Sequence, residues 1–259
     1  MKYGKLRIGT SGFSYDDWLG NFYPQFCPKA DYLQFYSSKF NIVEIDSTYY
    51  RIPQPEMVKR WVKVTPDEFL FTAKFPKFVT HEGTIDKRLD YMKAFLKVMK
   101  QLGSKMGPLL MQFPYSFKPE QMEDLKAMVA ALPVDKQISV ELRNKKWLDL
   151  PELMPLLEEN NLSLCLIDHP WMPKLDKATA DFAYFRFLGD RKKIESDFSY
   201  VRYECEQQLD YWSKVILELT ASGKDCFAFF NNHFSGHSPS TAHKLLERIS
   251  SLQPEILKV

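Results

Sequence analysis

What this chain has little of narrows its function first. Its four cysteines, Cys27, Cys165, Cys205 and Cys226, stand far apart and form no CxxC pair. That spacing suggests neither a disulfide framework nor a zinc knuckle, and it fits a reducing, cytoplasmic setting. Only five histidines occur, with no HxH or HExxH arrangement, so a zinc cluster lacks nitrogen ligands. A single Mg²⁺ or Mn²⁺ held by carboxylates stays chemically admissible. No GxGxxG follows the first strand-like run. Gly9-Thr10-Ser11-Gly12 is a lone small-residue turn, too weak a signal for nucleotide binding. The cofactor is therefore unknown, with no organic cofactor motif. No segment approaches the roughly 18 apolar residues of a bilayer span, and Met1 to Arg7 lacks the apolar stretch of a signal peptide. The formal net charge is +2, so no global field favours nucleic acid or an anionic membrane.

What is present is alternation. Strand-like runs lie at Leu6–Thr10, Ile42–Asp46, Phe69–Phe75, Pro108–Phe113, Ile138–Arg143, Leu162–Asp168, Ala183–Phe187 and Cys226–Asn231. Helical periods separate most of them. Asp31–Lys39 carries Leu33 and Tyr36. Pro55 opens a second helix with Val58 and Trp61 on its apolar face. Asp86 is placed to cap a third, whose stripe is Leu89, Met92, Leu96 and Met99. Pro119 opens a fourth, Leu153 to Leu157 marks a fifth, Glu204–Leu219 is a long one, and Ser238-Pro239 caps the last. Between the sixth and seventh strands, His169–Asp181 is short and proline-containing, so a helix there is expected to be short or replaced by loop. Alternation of this kind means parallel strands with crossover helices. Eight units in 259 residues, with no linker, repeat or composition break, predict one (β/α)8 TIM-type barrel domain over residues 1–259. A doubly wound sheet is the alternative.

The stretch Asn41 to Arg51 focuses the chemistry. Along a strand, side chains alternate between faces. Ile42, Glu44 and Asp46 share one face, and Val43 and Ile45 the other. Two carboxylates thus project together from a segment that otherwise reads as core. In a barrel of this type the active site lies at the carboxyl ends of the strands. Those ends supply Ser11, Glu44 with Asp46, Lys74, Gln112, Glu141 with Arg143, Asp168, Arg186, and Asn231 with Asn232. Glu44, Glu141 and Asp168 are the acid/base candidates, with Lys74 beside them in the catalytic set. Lys74, Arg143 and Arg186 balance their charge, which lowers the cost of burial, and would bind an anionic substrate. The ring reads either as a ligand pocket or as a plug sealing one end of the barrel. In the pocket reading its members reach one water-filled cavity.

Around the ring, Tyr15, Trp18, Tyr23, Tyr49 and Tyr50 fall on rim loops, where they would stack on a base or a sugar. His81 lies just past the third strand. His233 and His237 flank Phe234-Ser235-Gly236 ahead of the last helix, a favourable place for phosphate near Asn231, Asn232 and Gly236.

Several of these stretches recur together in a known family. They are Ile8-Gly9-Thr10-Ser11-Gly12-Phe13-Ser14-Tyr15 with Trp18, Gly20 and Phe22-Tyr23-Pro24, then Tyr36-Ser37 through Arg51. Phe71 to Pro76 with Thr80-His81, Gly107-Pro108 with Gln112-Phe113-Pro114, Glu141-Leu142-Arg143 with Trp147, Tyr184 with Arg186, and Phe230-Asn231-Asn232 with Gly236 continue the series. In these the chain resembles the YecE-like family, domain of unknown function 72, along essentially its whole length. The resemblance implies a TIM-type barrel and no established activity. The family often carries Trp where this chain has Phe13, and many relatives show a His where Leu188 stands.

The leading expectation is an enzyme of unknown reaction, a hydrolase or lyase acting on a small polar or phosphorylated compound. A second is a nucleic-acid-acting barrel of the endonuclease IV-like kind, with aromatics for bases and Arg191-Lys192-Lys193 for phosphates. The near-zero net charge and the absent zinc ligands disfavour it. A third is a non-catalytic ligand-binding protein. No membrane partner is expected, and nothing in the sequence sets the oligomeric state.

Overall fold

Strands and helices alternate through the computed structural model, which describes residues 3–255; Met1, Lys2 and residues 256–259, within the stretches read above, lie outside it. The strands are β1 (Leu6–Thr10), β2 (Ile42–Ile45), β3 (Leu70–Lys74), β4 (Met106–Phe113), β5 (Ile138–Leu142), β6 (Ser163–Leu164), β7 (Leu166–Asp168), β8 (Phe182–Phe187) and β9 (Asp225–Phe230). Every pairing between them is parallel. The helices are α1 (Tyr32–Ser37), α2 (Pro55–Val64), α3 (Lys77–Thr80), α4 (Ile85–Met99), α5 (Met122–Ala130), α6 (Leu153–Glu159), α7 (Glu206–Ala221), α8 (Asn232–Ser235) and α9 (Ser238–Leu252). This is the TIM-type α/β arrangement that the alternation predicts. No helix lies between β7 and β8, as the short His169–Asp181 segment leads one to expect.

Nine strands fill eight positions because the sixth is interrupted. β6 pairs with β5, while β7 pairs with β8. Cys165 stands between the halves, and its N–H donates to Val140 at 2.9 Å. The backbone thus hands over from one neighbour to the other. Hydrogen bonding consequently divides the strands into two sheets, β2-β3-β4-β5-β6 and β1-β9-β8-β7.

At the second seam, β1 and β2 approach without a regular ladder. Their backbones meet at the Ser11–Glu44 bridge and through the N–H of Gly12, which donates to Glu44 at 2.8 Å. Below that, the Tyr36 hydroxyl from α1 bridges the two strands. It accepts from the Thr10 N–H at 2.9 Å and donates to the Ile42 carbonyl at 3.1 Å. Buried backbone groups need partners, and one phenol here supplies two. Gly9 is required beside it, since a Cβ there would lie 2.2 Å from the Ile42 carbonyl oxygen.

Two cores follow from the strand alternation. Outward residues such as Val43, Phe71, Met111, Val140 and Phe185 pack under the helices. Inward residues Ile42, Leu110, Ile167, Phe182, Tyr184, Phe227 and Phe229 fill the barrel. Aromatics on β8 and β9 carry most of that volume, opposite the small inward residues Gly9, Thr72 and Ser139. Two of the expected helix starts and one apolar stripe need adjustment. Thr84, not Asp86, precedes α4, whose buried stripe is Arg88, Met92, Phe95 and Met99. Leu89 and Leu96 lie at its flank, half-buried. α9 begins at Ser238, and His237 caps it by accepting from the Ser240 N–H.

Candidate functional site

The carboxyl ends of the strands hold a charged network around Arg186. Its guanidinium donates to Glu141 Oε2 at 2.7 Å and to Glu44 Oε1 at 2.7 Å. Glu44 also accepts from the Ser11 hydroxyl at 2.8 Å and the Tyr184 hydroxyl at 2.7 Å, and Tyr184 in turn meets Thr72 at 2.8 Å. Arg143 Nε donates to the other oxygen of Glu141. Glu44, Glu141 and Arg186 are all fully buried. Burial favours the neutral acid, but Arg143, Arg186 and Lys74 outweigh it and hold the Glu141 carboxyl down at about 2. Burial likewise opposes the charge on Arg186, yet Glu44, Glu141 and Asp46 keep that group protonated well beyond the ordinary arginine range. Burial and the nearby Glu44 hold the Tyr184 phenol neutral.

Above the network opens a cavity of about 1050 Å³. Its floor includes Asp46, Lys74, Gln112, Arg143 and Arg186, and its walls Tyr15, Tyr49, His169, Leu188, Asn231, Asn232 and His233. Tyr50, Tyr115, Lys145, Trp171, Arg191 and Lys192 also line it. Six lining side chains are Lys or Arg and two are Asp, so the cavity is cationic. Tyr50, Tyr115 and Trp171 keep most of their surface exposed.

Asp46 and Lys74 are neighbours on this floor. Register pairs Glu44 with Thr72 and Ile45 with Ala73, which sets Asp46 beside Lys74 on the inward face. Burial and the adjacent Glu44 raise the Asp46 carboxyl above the usual range, against the pull of Lys74 and Arg186. Arg186 Nη2 is 3.8 Å away, and Asp46 Oδ1 has no hydrogen-bond partner among the described residues. Burial and Arg186 lower the Lys74 ammonium from its ordinary value, against Asp46. Its Nζ stands 5.1 Å from the centre of the Tyr49 ring.

The predicted ring therefore divides. Lys74, Gln112, Arg143 and Arg186 line the cavity. Glu44, Glu141 and Ser11 lie beneath, with their oxygens turned to Arg186, Arg143, Tyr184 and one another. The plug and pocket readings each describe one layer. Asp168 is a correction: it faces the helix layer, accepts from Trp212 Nε1 at 2.6 Å and pairs with Lys174 at 3.1 Å. Leu162, Leu164 and Leu166 share its face, which belongs to the outer core. Asp46 takes its place among the cavity carboxylates.

Other corrections concern the loops. Tyr15 and Tyr49 line the cavity, but Trp18 and Tyr23 are buried in an aromatic cluster, with the Trp18 indole donating to Asn232 Oδ1 at 3.3 Å. His81 stands behind Tyr49, ring centres 5.2 Å apart, outside the cavity lining. Burial and Lys74 lower its imidazole to about 4. At the last loop, where a phosphate site is expected, Asn232 Oδ1 takes the Ser238 N–H at 3.1 Å and His237 takes that of Ser240, while Asn232 Nδ2 has no hydrogen-bond partner among the described residues. Asn231 caps α8 by accepting from the His233 N–H. Gly236 is there for its backbone, with φ of 113° and the Tyr200 carbonyl oxygen 2.4 Å from where a Cβ would stand.

His169, Tyr115, Lys145, Trp171 and Asp190 line the cavity too and are not singled out by the sequence reading, whereas Tyr50 and Arg191 stand there as the rim reading expects. His169 directly follows a strand end, so position gave a signal; the others sit on loops without period. Burial lowers the imidazoles of both His169 and His233. His233 Nδ1 lies 2.6 Å from the Ile194 carbonyl, which makes it the N–H and leaves Nε2 as acceptor. No group of three or more His, Cys, Asp or Glu side chains able to hold a metal ion occurs among the described residues. No helix among them is long and apolar enough to cross a membrane.

Comparison with known proteins bears on the family and the fold. A family model described as "Protein of unknown function DUF72" matches residues 7–258. The UPF0759 protein YecE of Escherichia coli K12 is 33% identical over 115 residues, 44% of this chain and 42% of that protein, so the match spans less than half the relative's length. The UPF0759 protein YunF of Bacillus subtilis 168 is 28% identical over 268 residues, 93% of this chain and 94% of that one. A crystal structure of a DUF72 family protein from Thermotoga maritima MSB8 superimposes with a TM-score of 0.79 at 27% identity, covering 95% of this chain and 99% of that one.

Proposed function

The chain belongs to the DUF72 family of proteins of unknown function, and we propose that its barrel mouth binds a small anionic substrate and moves protons on it through Asp46 and Lys74. One observation carries the reading. Two titratable groups of opposite type stand side by side on the floor of a cationic cavity, and both are pushed toward their neutral forms. A pair of groups displaced toward one another is what acid/base chemistry near neutral pH requires. A carboxyl gives a proton, an amine accepts one, and the exchange leaves the local charge unchanged.

Arg143 and Arg186 would hold the anionic end of the substrate. Glu44 and Glu141 would serve as supports that fix those guanidinium groups, because their oxygens are already occupied. The reaction class that fits is a lyase or hydrolase step on a small polar or phosphorylated compound. A cytoplasmic setting belongs to the same proposal, supported by the four free thiols.

The rim favours a second reading. Exposed Tyr50, Tyr115 and Trp171 lie near Lys145, Arg191 and Lys192. Aromatic faces with adjacent cations suit a single-stranded nucleic acid. Titration with a short oligonucleotide at two salt concentrations tests this, since such binding weakens steeply with salt.

For the main reading, thermal unfolding is followed with added inorganic phosphate, pyruvate or dihydroxyacetone phosphate. At least one should raise the melting temperature of the wild type, and Arg143→Gln should lose most of that rise. If none of these anions stabilises the wild type, the reading fails.

A further inference from the structure

Among the described residues Lys105 is buried and Lys74 is half-buried at the cavity, and the two differ in one respect. Lys105, under the helices, donates to the Val62 carbonyl at 2.8 Å, the Thr65 carbonyl at 2.8 Å and the Thr65 hydroxyl at 3.3 Å. Such a lysine is structural, its donors consumed by the fold. The Lys74 amine has no hydrogen-bond partner among the described residues and none of their carboxylates within the 4.0 Å of an ion pair, while its carbonyl accepts from the Thr48 hydroxyl at 2.7 Å. Its amine instead meets the Tyr49 ring and the cavity. The cations around it are paired: Arg186 with Glu44 and Glu141, and Arg143 with Glu141.

We propose that Lys74 is a covalent nucleophile that forms a Schiff base with an aldehyde or ketone substrate carrying a carboxylate or phosphate. This rests on the anion-binding reading above and names its substrate class. The geometry meets each need of the step. An unpartnered amine lines a cavity large enough for a small metabolite. Arg143 and Arg186, two cations on the same floor, would hold the anionic group beside it. Desolvation together with a neighbouring cation is an established way to make a lysine nucleophilic. Here burial acts first and Arg186 second. Glu44 and Asp46 on β2 and its exit, Glu141 and Arg143 at β5, and Arg186 on β8 are the charges that face the amine.

The balance of the step is simple. The Nζ lone pair attacks the carbonyl carbon and a C–N bond forms. The carbonyl π pair moves to oxygen, which takes a proton from the Asp46 carboxyl. Nitrogen passes one proton to the Asp46 carboxylate, and Asp46 returns it to the hydroxyl as the C–O bond breaks. One amine, one carbonyl and one proton become an iminium ion and water. The iminium then draws electrons from an adjacent C–C or C–H bond, which fits a lyase better than a hydrolase.

Reductive trapping tests this on the intact protein. Wild type is incubated with sodium cyanoborohydride and pyruvate, with dihydroxyacetone phosphate, or with uncharged acetone, and modified lysines are located by peptide mass spectrometry. Lys74 should be alkylated by a charged probe several-fold faster than the cavity lysines Lys145 and Lys192, since burial and Arg186 leave more of its amine unprotonated and the anionic group is held beside it. Arg143→Gln should slow trapping of the charged probe and leave acetone unaffected. Lys74→Arg, which keeps the charge but forms no such imine, should lose the fast site. Anion stabilisation of the wild type without preferred labelling at Lys74 overturns this inference alone. Absence of both overturns it together with the anion-binding reading. Preferred labelling by acetone with no anion effect retains the nucleophile and overturns the anionic substrate.

Discussion

Arg186 donates to Glu44 Oε1 at 2.7 Å although the two residues stand 142 positions apart, on strands of different hydrogen-bonded sheets. The contact runs through the barrel interior, under the cavity floor. With Glu141 on its other nitrogen, Arg186 ties β2, β5 and β8 together by charge where the hydrogen-bonded sheets are separate. The same guanidinium borders the cavity. One side chain thus serves both the plug beneath and the pocket above.

Arg186→Met should be strongly destabilising. It leaves two carboxylates buried with one cation fewer, and breaking a buried network of this kind costs roughly 3–5 kcal/mol. The triple change Glu44→Gln, Glu141→Gln, Arg186→Met should recover most of that loss, because neutral groups carry a far smaller burial penalty. Urea unfolding of the wild type and both variants measures this. Equal losses in single and triple variants would count against a charge-balanced plug.

Acid should attack the same network. Glu141 titrates at about 2 in the fold against an ordinary 4.5. A lowered carboxyl stabilises the fold above its unfolded pKa, and that stability is lost as pH falls from about 4.5 to about 2. Two and a half pKa units correspond to about 3 kcal/mol at most. Unfolding free energies measured from pH 6 to pH 2.5 should show this acid limb, and Glu141→Gln should flatten it. A limb unchanged in the variant would assign it to other carboxylates.

Asp168→Asn separates the helix-side acid from the cavity. It weakens the partner of the Trp212 indole and removes that of Lys174, so stability should fall by about 1–3 kcal/mol. Any stabilisation that phosphate, pyruvate or dihydroxyacetone phosphate gives the wild type should be unchanged, because Asp168 does not line the cavity. Loss of that anion response in a folded Asp168→Asn would restore Asp168 to the site.

Histidine titration reads the surroundings of Lys74 from behind Tyr49. His81 sits at about 4, lowered by burial and by Lys74. Its neutral form is the one the fold prefers, so its contribution is present above pH 6.5 and is lost as pH falls toward 4. Nuclear magnetic resonance should find the His81 imidazole neutral at pH 5.5. Lys74→Met removes the neighbouring cation and should raise that midpoint; an ordinary midpoint near 6.5 in the wild type would disprove the environment described.

By itself the sequence determined the strand count, the parallel order and most inward residues. Those depend on period: alternation of two along β2, β3 and β5 puts Glu44, Asp46, Lys74, Glu141 and Arg143 on one face wherever the strands go. The same rule held the answer for Asp168, since Leu162, Leu164 and Leu166 mark its face as the one under the helices. The depth of each charge was decided by tertiary structure. Glu44 and Asp46 are equivalent by face, yet two residues along the chain separate a saturated buried carboxylate from one bordering a cavity. Loop residues carry no period at all. Whether Trp18 or Trp171 would be buried, and whether the Asn232 amide would be left open to a ligand, depended on which segments distant in the chain came to rest against them.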